Sequence, residues 1–104
     1  MSGFVARTVA SYGVPLDQNI ESALQEVKRI LADAKHDSSA KAVLREILET
    51  VIEFRVASVM GDTKQKELSM QNVDRLYLML PSVGLEKAWV VDLSRRVAGR
   101  FKNS

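Results

Sequence analysis

Between Leu16 and Met60 the chain holds no glycine and no proline, and its apolar residues recur three and four positions apart. That is the period of a helix, so the stretch predicts two consecutive amphipathic helices. The first carries a stripe of Ile20, Ala23, Leu24, Val27, Ile30, Leu31 and Ala34, with Asp17 or Asn19 as its cap. Its opposite face, Glu21, Gln25, Lys28, Arg29 and Asp33, is expected in water. The polar run from Lys35 to Ser39 reads as a turn in which Ser38 or Ser39 caps the next helix.

That next helix, from about Ala40 to Met60, would be roughly 30 Å long at the usual rise per residue. Val43, Leu44, Ile47, Leu48, Val51, Ile52, Phe54, Val56, Val59 and Met60 cover far more than one stripe of it. A helix apolar on so much of its circumference must be touched on two sides, which places it centrally.

The flanks are punctuated more often. Phe4, Val5, Val9 and Tyr12 share one side of a short helix that Gly13 and Pro15 end. After Gly61, residues 62–66 read as an exposed connection, and Ser69 as the cap of a short helix with Leu68 and Val73 stapled across its start. That helix presents Val73, Leu76, Tyr77 and Leu80 and stops at Pro81. Beyond the Ser82–Val83–Gly84 turn, Leu85, Trp89, Leu93, Val97 and Phe101 follow at intervals of four along a final helix. The expected fold is all-α, a compact bundle of four to five helices with a long central helix, forming one domain over residues 1–104.

Composition narrows the function classes. With 46% hydrophobic and 27% charged residues the chain buries a core of its own and is not expected to be disordered. It has no cysteine, which excludes disulfide scaffolds, thiolate metal sites and cysteine nucleophiles. Charges interrupt every apolar run well short of a membrane span, so a soluble, cytoplasmic protein with no membrane segment is expected.

Candidate chemistry is sparse. His36 is the single histidine and falls in a polar turn, expected to be a solvated loop residue. Glu46, Glu49 and Glu53 line one side of the central helix, but without the Glu-x-x-His pairs of carboxylate metal bundles they read as a solvated acidic face. In the segment after Gly61, Lys64 and Lys66 stand where a calcium loop needs oxygen ligands. No catalytic, cofactor-binding or metal-ligating residue is therefore expected, and the chain does not read as an enzyme.

Charge distribution does change the picture. Residues 1–60 carry seven basic and eight acidic side chains, residues 61–104 eight and five, and no acid follows Asp92. The excess sits in Arg95, Arg96, Arg100 and Lys102. Arg96 and Arg100 flank the Trp89–Leu93–Val97 stripe, Arg95 lies further round, and all could grip phosphates or acidic side chains. A helix-turn-helix DNA reader fits poorly, because these cations lie at the C-terminal end of the last helix rather than near its start. The expected function is a non-enzymatic protein–protein interaction module, an adaptor or regulatory subunit, with Trp89, Arg95, Arg96, Arg100 and Lys102 as partner-binding residues. A protein partner or a second copy would cover surplus apolar surface. The alternative is a nucleic-acid accessory protein using the basic C-terminal helix.

Overall fold

The computed structural model describes residues 14–101, which form α1 (Val14–Asp33), α2 (Ser38–Met60), α3 (Thr63–Tyr77) and α4 (Lys87–Ala98). A short 3-10 turn, Pro81–Val83, lies between α3 and α4, and the described residues include no strand. The helix expected around Phe4, Val5, Val9 and Tyr12 lies outside the described residues. No described helix is long and apolar enough to cross a membrane.

The two helices of the uninterrupted stretch form with small shifts at their ends. α1 opens at Val14, so Pro15 starts a helix rather than following one, which its fixed φ and missing N–H allow at a first turn. Asp17 is accordingly inside that first turn rather than a cap, where its charge complements the helix dipole. At α2 the cap is Asp37, whose carboxylate accepts from the Ala40 amide at 2.9 Å, and Ser38 and Ser39 become its first helical residues. Gly61 closes α2 at φ 72°, with its own N–H on the Ser58 carbonyl and the Asp62 N–H on the Ala57 carbonyl. This pair of bonds uses two carbonyls the helix leaves free, in a left-handed conformation that glycine adopts without strain.

α3 corrects two expectations. The segment expected to be a connection is its first turn, because Asp62 caps it by accepting from the Gln65 amide at 3.0 Å. Ser69, expected as the cap, is buried in mid-helix with its Oγ accepting from Gln65 Nε2 at 3.2 Å. Leu68 is half exposed, so no staple forms there.

α2 is the central element: it packs against α1, α3 and α4, while α1 and α4 also pack on each other. Ile20, Leu44, Ile47, Leu48, Ile52, Val56, Leu80, Val90 and Val97 are the largest apolar side chains lost from solvent altogether. Each such burial contributes about 1.5–3 kcal/mol, which is what holds short helices together. The acidic face expected on α2 does not exist as such, since Glu49 and Glu53 are buried and engaged and only Glu46 is exposed. The reason is position: α2 is enclosed by its neighbours on more of its circumference than its apolar residues alone fill.

Candidate functional site

Glu26 sits on α1 among Ala23, Val27 and Ile30, on the face turned to the core, and is 3% exposed. An ionised carboxylate there needs partners, because burial without them costs several kcal/mol. They come from the far end of the chain. Arg96, in the last turn of α4, donates from a terminal nitrogen to Glu26 Oε2 at 3.1 Å. Arg100, just beyond α4, donates to Oε1 from Nε at 3.2 Å and from a terminal nitrogen as well. Arg29, one turn along α1, adds an ion pair at 3.7 Å.

The local sequence explains the convergence. Arg96 and Arg100 are four apart and flank buried Val97, so packing Val97 into the core directs both guanidiniums at α1. The hydrogen bond from Arg100 holds the Glu26 carboxyl below the ordinary carboxylate value, burial opposes this, and the charges of Arg29, Arg100 and Arg96 add to the lowering. The arginine side chains are not themselves enclosed: those of Arg29, Arg96 and Arg100 are 57%, 56% and 36% exposed. With Glu26 and Gly99 they line a surface notch of about 410 Å³.

Of the five residues singled out from sequence, Arg96 and Arg100 thus meet, on an acid of their own chain. Trp89 is half-buried and stacks on His36, with ring centroids 5.0 Å apart and the planes 32° from parallel. His36 is therefore packed against a ring instead of being a fully solvated loop residue. Trp89 and Arg96 share a smaller cleft of about 240 Å³ with Ile30, Asp33, Ala34 and Leu93, which adjoins the notch through Arg96. Arg95 is exposed beside Asp92 at 4.0 Å and takes no part in either cleft. Lys102 lies outside the described residues. Glu26 was not among the residues singled out, although its place three after Ala23 and four before Ile30 puts it within the apolar stripe.

A second surface feature lies between α2 and α3. Val51 and Phe54 of α2 and Met70 and Val73 of α3, with Asp74 at the rim, line a groove of about 190 Å³. Lys66, Met70, Val73 and Tyr77 follow one another along a single face of α3. The Lys66 amino group lies 5.5 Å from the centre of the Phe54 ring, and that of Lys87 lies 5.7 Å from the Tyr77 ring, so a cation stands at each end of the row. Met70 is 52% exposed. No family model, no curated protein and no solved structure matches this chain.

Proposed function

We propose that this chain is a non-enzymatic helical protein–protein interaction module, an adaptor or regulatory subunit, whose docking surface is the α2–α3 groove. The carrying observation is the apolar groove of half-buried Phe54 and Val73 around exposed Met70, with Lys66 over the Phe54 ring at one end and Lys87 over the Tyr77 ring at the other. From Lys66 to Tyr77 the row spans roughly 16 Å, about three turns of a helix. Its occupant is an amphipathic helix of a partner protein, with apolar anchors at i, i+4 and i+7 and acidic residues beyond its ends to meet Lys66 and Lys87. Methionine suits such a surface because its unbranched side chain adapts to the anchor it receives. The reading includes a cytoplasmic setting.

Met70→Glu and Met70→Lys place charges in the groove at an exposed position of α3, away from the buried Ser69 and Leu76. The wild-type chain, immobilised and exposed to nuclease-treated lysate, is expected to retain a discrete protein that both variants lose while their circular dichroism stays unchanged. Equal retention by the variants would remove the groove from the reading, and a concentration-dependent dimer abolished by the same variants would make a second copy the occupant.

The nucleic-acid reading draws on one observation, the gathering of Arg96 and Arg100 beside Arg29. Against it, Arg95 stands apart beside Asp92, so the basic residues do not form a track along the helix. It requires retention that collapses on nuclease treatment and affinity that falls steeply with salt.

A further inference from the structure

We propose that the notch of Arg29, Arg96 and Arg100 is a receptor for a phosphate monoester dianion, at a site separate from the groove. Three guanidiniums, from α1, from α4 and from the turn just beyond α4, converge on one buried carboxylate, so the cluster keeps a net charge of about +2 at neutral pH. Each guanidinium offers five N–H donors, and Arg96 and Arg100 together spend three hydrogen bonds on Glu26. Most of the donors are left for the notch of about 410 Å³ that the arginines line.

Glu26 also does what a ligand would otherwise have to do. By fixing Arg96 and Arg100 it removes the rotamer freedom of two long side chains before anything binds. Enclosed as it is, it leaves the outer edges of the guanidiniums, borne on side chains that are more than a third exposed, to an incoming oxyanion. Gly99 contributes only backbone to the lining, and its φ of −65° is one any residue adopts, so no left-handed turn demands glycine there.

The charge and its arrangement favour a monoester over a nucleic-acid backbone. A phosphate monoester carries about −1.5 to −2 at pH 7, which matches the net charge of the cluster. A phosphodiester carries one charge per phosphate and is followed by cations set along a track. Here the cations meet at a point. Asp33 lies in the adjoining cleft with Trp89 and Arg96, and Asp92, one turn before Arg96, is paired with Arg95.

Titration calorimetry of the full chain with O-phosphoserine and with inorganic phosphate at pH 7.5 tests this. Saturable binding at one site is expected for both, and Arg29→Ala should weaken it by roughly tenfold or more, the loss of one charge-assisted contact. Arg29 is the variant of choice because Arg96 and Arg100 stay on Glu26 without it, so the melting temperature should hold. Binding should also weaken from pH 7.5 to pH 5, since the ligand regains a proton near pH 6 while the arginines remain charged. Absence of a saturable signal, or equal affinity in Arg29→Ala, would overturn the proposal. So would equally tight binding of an oligonucleotide lacking terminal phosphates, which would assign the notch to backbone phosphates.

Discussion

Arg100 donates from Nε to Glu26 Oε1 at 3.2 Å, joining the end of the described chain to the middle of α1 across 74 positions of sequence. Arg96 reaches the other oxygen of the same carboxylate from one helical turn earlier. The two arginines therefore tie α4 to α1 at the edge of the core, where Val97 and Val27 are buried. The cluster's hold on α4 depends on Glu26 remaining ionised, whereas its positive charge comes from the arginines themselves.

Glu26→Gln keeps the shape of the side chain and removes its charge. Hydrogen bonds to a charged acceptor are worth about 1.5–3 kcal/mol, and the exposed guanidiniums can turn into water when the anion is lost, so a destabilisation of about 1–3 kcal/mol is expected. Urea denaturation measures it. A midpoint unchanged from wild type would show that the tie carries no stability.

The same residue sets a pH dependence. Because the folded state holds the Glu26 carboxyl below its unfolded value, the stabilisation is complete above the unfolded carboxylate pKa of about 4.3. It is lost as pH falls through the lower, folded value. Melting curves from pH 7 to pH 3 should show wild type and Glu26→Gln converging on the acid side, since contributions from every other carboxyl cancel in the difference. Curves that stay parallel would contradict a lowered Glu26.

Helices α1, α2 and α4 were legible because a three-and-four spacing uninterrupted by glycine or proline has one structural solution. The burial of Leu93, Val97 and Phe101 followed from the same spacing, whereas Trp89 at the head of that stripe is only half-buried. The start of α3 was hidden because a run of lysine, glutamine and glutamate carries no apolar period, and it is Asp62 that makes it helical. Glu26, Glu49 and Glu53 were hidden for a different reason. A sequence marks a glutamate as polar, but whether it is solvated depends on which neighbours fold over it, and here α4 brings Arg96 and Arg100 to Glu26 from seventy or more positions away.

Asp62 offers a local test of that account. Asp62→Ala removes the acceptor for the Gln65 amide and is expected to cost about 1 kcal/mol, the ordinary value of an N-cap. Hydrogen exchange should speed up at residues 63–66 and leave α1 unchanged. Gly61→Ala has open space around the added methyl, so any loss it shows reports the positive φ alone, at about 1 kcal/mol.

The groove rests on the docking of α3 against α2, and a side-chain hydrogen bond crosses that contact. Thr50 is wholly buried on α2; its Oγ1 donates to the Glu46 carbonyl at 2.7 Å and accepts from Asn72 Nδ2 of α3 at 3.1 Å. Asn72→Ala leaves the Thr50 hydroxyl its carbonyl partner, so no buried donor is stranded and the cost should stay near 0.5–1.5 kcal/mol. Thr50→Val removes the acceptor while keeping the volume, and because Asn72 is only half-buried its freed Nδ2 can turn to water, so the cost should be similar. If the two residues act through one bond, the double variant should lose less than the two single losses added together. Such a cycle, read by denaturation, separates a bond that positions Met70 and Val73 beside Phe54 from two polar residues that are merely close. Full additivity would assign the docking of α3 to Leu76 and its apolar neighbours alone.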